Sequence, residues 1–218
     1  MLVGLINEQG NTMKKIVNAF TVPVLEAIFP NIEQLNTDLN NHVSNLFSNM
    51  KDKRLLSYEW DNNILTDQTS PSTGWSSFNH SNLKDDPNFS SLYDLLSPLI
   101  NDFFDQLGFY GDWDFVNSWA NVYPKNSFVP HHNHGDVHWS GVYYINADEN
   151  CGDLFLLDPK EYALSNEPFN TKWRGNHKLR ITPVPGKVVL FPGYLKHESA
   201  PNKNDSYRTI ISFNINCK

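Results

Sequence analysis

Two short histidine-bearing segments, about sixty residues apart, set the strongest constraint on how this chain can fold. The first is Pro130-His131-His132-Asn133-His134-Gly135-Asp136. The second is Phe191-Pro192-Gly193-Tyr194-Leu195-Lys196-His197, with Arg208 in the apolar run that follows. His132 and His134 stand at i and i+2 of an extended segment, so both rings point to one side and can converge on one ion. His134-Gly135-Asp136 offers a rival pairing in which Asp136 is a ligand. A third donor, His197, joins either pair only in a fold that carries one loop across to the other. Imidazole and carboxylate donors on one face, with open positions opposite, suit non-haem ferrous iron. An arginine behind them suits a carboxylate gripped through two hydrogen bonds. The bland alternative is a solvated polar loop, because four of the chain's 8 histidines crowd positions 131, 132, 134 and 138. His131 and His138 fit that alternative, or a substrate contact.

The chain changes character at Trp113. From there, short β-type segments alternate with Gly, Pro, Asn and Asp turns, which predicts strands near 113–123, 139–146, 153–158, 179–184, 187–192 and 207–216. Many short strands without intervening helices make an antiparallel sandwich or barrel. In the last strand Arg208, Ile210, Ser212 and Asn214 share one face. An inward arginine on such a strand is costly unless paired, and no acid stands at a fixed spacing to pair it, so a carboxylate ligand would supply the partner. The plainer alternative is an arginine facing outward at a strand start. Asn121 and Tyr123 share a face of the first strand, where they serve either the same ligand or ordinary satisfaction of a polar core.

Before Trp113 the pattern is helical. Ile32, Leu35, Leu39, Val43, Leu46, Phe47 and Met50 form one apolar stripe, with Asn31 as the expected N-cap and Gln34 placed to answer it. Leu92 to Leu107 forms a second helix that Gly108 stops, and Pro98 within it predicts a kink or a late start. Residues 61–88, rich in Asn, Asp, Ser, Thr and Pro, read as a long loop, the kind that is usually functional or mobile.

A chain of 218 residues fits one domain spanning 1–218: a helical layer and loop over 1–112, and a β core over 113–218. A net charge of −7 with no basic run argues against nucleic acid. No run reaches the length of a membrane helix, and residues 1–10 lack the basic region of a signal peptide. Cys151 and Cys217 form no C-x-x-C pair and read as reduced thiols of a cytoplasmic protein.

Taken in order, these pieces resemble the iron(II)- and 2-oxoglutarate-dependent oxygenase superfamily. Within it they resemble most a small, prolyl-hydroxylase-like family of 2OG-Fe(II) oxygenases found in bacteria and phages. Phe20-Thr21-Val22-Pro23-Val24 and Ile32-Glu33-Gln34-Leu35-Asn36 are similar to its opening, and Gly74-Trp75-Ser76-Ser77 to its Gly-Trp-x-Ser element. His132-Asn133-His134 with Ser140-Gly141-Val142-Tyr143-Tyr144 resembles its metal block. Gly152-Asp153-Leu154, Asp158-Pro159, Gly186 to Pro192, His197, and Arg208 to Asn214 resemble its closing strands.

The resemblance implies a mainly β fold with flanking helices, a double-stranded β-helix (jelly roll, cupin-like), with Fe(II) at its mouth. It implies His132 and His197 as metal ligands. The superfamily's usual Asp falls on His134, giving three imidazoles, with Asp136 as the alternative carboxylate. It implies Arg208 as anchor for the far carboxylate of 2-oxoglutarate, with Asn121 and Tyr123 beside it as an N-x-Y element. Where the superfamily has R-x-S this chain has Ile210, and Ser212 lies one step further along the same face. The implied activity is a dioxygenase that consumes O2 and 2-oxoglutarate, releases succinate and CO2, and hydroxylates a small-molecule or peptide substrate, with residues 61–88 and Trp75 as a lid. Two rivals stand beside it: a three-His cupin dioxygenase or isomerase that does not use 2-oxoglutarate, and a jelly-roll binding protein without activity.

Overall fold

In the computed structural model, which describes residues 21–49, 74–78, 81–159 and 178–218, the chain forms two antiparallel sheets, with two edge strands of the larger one contributed by the first half. Its elements, in order, are β1 (Leu25–Ile28), α1 (Glu33–Asn49), β2 (Trp75–Ser76), α2 (Ser90–Gln106), β3 (Trp113–Tyr123), β4 (Trp139–Asn146), β5 (Leu154–Leu157), β6 (Lys178–Ile181), β7 (Lys187–Pro192), β8 (His197–Ser199) and β9 (Arg208–Cys217). The larger sheet runs β1-β7-β4-β9-β3-β2 and the smaller β6-β5-β8. Residues 129–132 extend the smaller sheet: Ser199 N donates to Val129 O (3.0 Å), and His132 and His197 exchange backbone hydrogen bonds at 3.0 and 2.8 Å.

Strand alternation divides the larger sheet between two cores. Ala120, Val122, Tyr143, Val188, Leu190, Ile211, Phe213 and Ile215 face the helices and pack with Leu39, Val43, Leu92, Leu96 and Ile100. The residues between them, Tyr123, Val142, Tyr144, Val189, Phe191 and Ile210, face inward onto Leu154, Leu156 and Ile181 of the smaller sheet. Period-2 alternation fixes both assignments at once, because a one-residue slip would exchange them. A bulge in β3 between Phe115 and Asn117 makes such an exchange locally. Before it, Trp113 and Phe115 lie against Phe104 and Tyr93 of α2. After it, Asn117, Trp119, Asn121 and Tyr123 stand opposite Asn214, Ser212, Ile210 and Arg208 of β9.

Three details differ from the sequence expectation. α1 begins at Glu33, and Ile32 rather than Asn31 occupies the capping position, its carbonyl accepting from Asn36 N at 2.8 Å. Asn31 instead takes a left-handed turn (φ 57°), which its short polar side chain tolerates, and Gln34 bonds to Asp38. α2 starts before Leu92 and runs through Pro98. Pro98 and Asp94 both lie on the exposed side, where water can meet the carbonyl that proline leaves unbonded. Trp75 is buried (2% exposed) in β2, paired with Val122 and packed against Phe47, so it belongs to the helix-side core and not to a lid. Of the predicted lid, residues 61–73 and 79–80 lie outside the described residues. No helix among the described residues is long and apolar enough to cross a membrane.

Candidate metal centre

The bridge between residues 129–132 and β8 sets His132 directly opposite His197. Their ring centroids are 4.2 Å apart, and His134 lies 5.1 and 5.2 Å from the two. One ligand atom from each ring falls within 4.8 Å of the others, a span that suits a shared ion. The turn 192–195 holds the loop that carries His134: its backbone N donates to Gly193 O (2.8 Å), and Gly193 N donates to His138 O (2.9 Å). This approach is so close that a Cβ on Gly193 would collide with the carbonyls of Val137 and His134.

Two rings are oriented from behind. His132 Nδ1 lies 2.8 Å from Pro130 O and His197 Nδ1 lies 3.0 Å from Leu195 O. A proton on Nδ1 in each case directs Nε2 toward the cluster, the arrangement metal-bound histidines use. Burial lowers the pKa of all three: His134 to about 4, His132 below its ordinary value, and His197 well below it, with repulsion from neighbouring histidine rings, His131 included, adding to the effect. They are therefore neutral at physiological pH, the form that binds metal. Tied rings, neutral donors and one point of convergence fit a divalent transition ion.

Asp136 is not part of this set. Val137 N closes a turn onto His134 O (3.3 Å), which carries Asp136 out to solvent. His131 and His138 are exposed and hold the surroundings. His131 lies 4.0 Å from Glu198, and His138 Nδ1 accepts from Cys217 N at 2.9 Å.

Deeper on the inner face, Arg208 is 2% exposed. Nη1 donates to the carbonyls of Cys151 (2.7 Å) and Gly152 (3.0 Å), and Nη2 to Ser199 Oγ (2.9 Å). The guanidinium carbon sits 4.4 Å from the Tyr123 ring centroid. Nε is buried without a hydrogen-bond partner, and no acid among the described residues forms an ion pair with Arg208. A guanidinium has five N–H donors, so the Nε–Nη2 edge is the one left to grip a carboxylate in two-point fashion. Asn121 Nδ2 donates to Ser212 Oγ (3.1 Å), spanning the face between Arg208 and the mouth.

Sequence reasoning overlooked two residues here. Tyr144 is 4% exposed on the inner face, and the charge of Arg208 acts on its hydroxyl, although burial dominates and raises its pKa. Its place was readable from Ser140-Val142-Tyr144 alternation. Trp119, with its ring 5.8 Å from that of His134, was readable from sharing a face with Asn121 and Tyr123.

Residues 117–214 match the sequence model of the family described as "Putative 2OG-Fe(II) oxygenase". No curated protein matches the sequence. Among solved structures, the chain is similar to a Pseudomonas putida prolyl-4-hydroxylase (14% identity, 91% of this chain and 94% of that one, TM-score 0.58). It is also similar to the non-heme alpha ketoglutarate dependent carbocyclase SnoK from nogalamycin biosynthesis (12%, 89% and 79%, TM-score 0.60). A third is HygX from Streptomyces hygroscopicus with nickel and 2-oxoglutarate bound (13%, 90% and 83%, TM-score 0.57). At these identities the likeness speaks to the fold, a double-stranded β-helix.

Proposed function

We propose that this chain, whose residues 117–214 match the 2OG-Fe(II) oxygenase family model, is such an oxygenase, that His132, His134 and His197 hold ferrous iron and that Arg208 anchors 2-oxoglutarate. The observation that carries this reading is the pairing of two features on one inner face: three converging neutral imidazoles, and a buried cation whose Nε has no hydrogen-bond partner and which no acid among the described residues pairs. When bound, the iron supplies the redox chemistry by which O2, 2-oxoglutarate and a C–H substrate become succinate, CO2 and a hydroxylated product.

The chain's own residues do the remaining work. The carbonyls of Pro130 and Leu195 keep two donor rings in one tautomer and orientation. Cys151, Gly152 and Ser199 hold one side of the guanidinium, turning its Nε edge toward a dicarboxylate. Tyr123 covers the guanidinium's face, and the Asn121–Ser212 pair keeps the path between arginine and histidines polar but uncharged. The inner-face apolar residues Val189, Phe191 and Ile210 exclude water, which strengthens every charge interaction within.

The test is spectroscopic and chemical. Anaerobic Fe(II) protein should develop a visible charge-transfer band when 2-oxoglutarate is added, and in air it should release succinate. Arg208→Lys should need much more 2-oxoglutarate for the same band. A protein that binds iron yet shows neither band nor succinate would overturn this reading. No carboxylate among the described residues joins the cluster, which favours one rival, a three-histidine dioxygenase that takes its substrate directly on the metal, and that outcome would select it.

A further inference from the structure

From the same site we infer the class of the second substrate: an uncharged molecule that presents a ring or other flat apolar face to Trp119, with its outer part held by Phe78. This inference rests on the oxygenase reading. Its ground is an aromatic track that leads from the metal centre to solvent. The Trp119 ring lies 5.8 Å from that of His134, and the Phe78 ring meets Trp119 edge-on at 4.9 Å. Trp119 is 9% exposed and Phe78 is 51% exposed, so the track opens outward from the cluster. Phe78 is held in place by its own backbone N, which bonds to Ser76 Oγ at 3.2 Å in the turn after β2.

The polar groups beside the track are neutral. Trp119 stands between Asn117 and Asn121 on one strand face and opposite Ser212. Asn117 Oδ1 accepts from Asn214 Nδ2 (2.8 Å), and Asn214 Oδ1 accepts from Ser140 Oγ (2.6 Å), making a ladder of amides and hydroxyls across three strands. The ion pairs among the described residues, Lys84–Asp85, Lys125–Asp205, Lys178–Glu198, Arg180–Asp153, Lys187–Glu26 and Lys218–Asp114, and the His131–Glu198 contact, involve none of these side chains. A cationic substrate would lose its hydration here, and the side chains beside Trp119 among the described residues, Asn117, Asn121 and Ser212, offer it no opposite charge. A neutral ring would gain indole contact and hydrogen bonds at its edges. Arg208, the cation on this face, lies deeper, in the place proposed for the co-substrate.

Three probes separate ring from charge: cyclohexanecarboxamide, the acyclic butyramide, and cyclohexylmethylamine, whose ammonium is charged at neutral pH. Binding to anaerobic Fe(II) protein holding 2-oxoglutarate is read by saturation-transfer NMR, which needs no turnover. The ring amide should bind more tightly than the other two, and Phe78→Ala and Trp119→Leu should each weaken it about three- to tenfold. Phe78 is exposed, so its variant stays informative if Trp119→Leu fails to fold. Unchanged ring-amide binding in Phe78→Ala, or preference for the ammonium, would overturn the inference. Succinate release by the unaltered protein tests the oxygenase reading separately. Succinate release together with indifferent probe binding removes only the substrate class; discriminating probe binding without succinate removes only the oxygenase.

Discussion

A guanidinium buried in a barrel costs several kcal/mol unless both its N–H groups and its charge are met. In Arg208 the backbone carbonyls of Cys151 and Gly152 meet part of the first need, at Nη1, and a bound dicarboxylate would meet the rest of it and the second. Arg208→Ala therefore tests folding as well as ligand binding. It should lower the unfolding free energy by about 2–4 kcal/mol in urea titration, because buried acceptors lose their donors. Arg208→Lys, which keeps a donor and the charge, should lose less. Equal stability of all three proteins would show that the carbonyl contacts hold nothing. The cost of an inward arginine was legible from strand alternation alone. Its carbonyl partners were not, because they come from the turn before β5, whose approach depends on how the sheets face each other. The histidines carry a second residue-level expectation. Unfolded, each titrates near 6.5, whereas burial lowers His134 to about 4 and depresses the other two. The unfolded metal-free chain thus binds more protons as pH falls from about 6.5 toward 4, so stability is greatest above that interval and drops through it. The urea midpoint of metal-free protein should be lower near pH 5 than near pH 7.5. Equal midpoints would mean that the rings protonate as readily in the fold as out of it.

The turn 192–195 and the loop 132–138 act as one element, although 60 residues or so of chain separate them. Gly193 is where they touch, and a methyl group there must push the backbone of His134 aside. Gly193→Ala should weaken cobalt(II) binding about 10–100-fold, as losses of ligand support commonly do, while shifting thermal unfolding by only a few degrees. Full cobalt affinity in that variant would mean that His134 is not held from this side. α1 docks through a polar contact instead: Asn36 Nδ2 donates to Ile145 O (2.9 Å), and Tyr143 OH donates to Asn36 Oδ1 (2.8 Å), all buried. Asn36→Leu should cost roughly 2–3 kcal/mol, since it leaves both partners unmet. An unaffected urea midpoint would mean that water replaces the amide. Six of the seven strands of the second half were legible because each lies between turn signals; β8 (His197–Ser199) was not, because three residues are too few to show a pattern. The pairing of 129–132 with β8 was not, because Pro130 and a run of polar residues hide its extended character. The start of α1 was misread because Asn31, a good cap by residue type, is used for a left-handed turn.

At the scale of the molecule, the larger sheet separates what stabilises the fold from what shapes the site. Between its outer face and the helices α1 and α2 it holds most of the fully buried apolar side chains, Leu92 and Leu96 of α2 and Ile211 and Phe213 of β9 among them. Its inner face holds the smaller core on which the histidines rest, with the Phe191 ring 4.7 Å from that of His197. Mutations on the two faces should therefore differ in kind. Leu96→Ala opens a cavity on the helix side and should cost about 2–5 kcal/mol of unfolding free energy. Cobalt(II) affinity should stay within about twofold, because sites sharing no partner add independently. Phe191→Ala should cost a similar about 3–5 kcal/mol and also loosen His197, so its cobalt affinity should fall well beyond the change seen in Leu96→Ala. Measured at a temperature where both variants remain folded, the two affinities separate site from scaffold. If Leu96→Ala loses as much cobalt affinity as Phe191→Ala, the sheet transmits helix-side strain to the histidines, and the helical layer is part of the metal centre rather than its support.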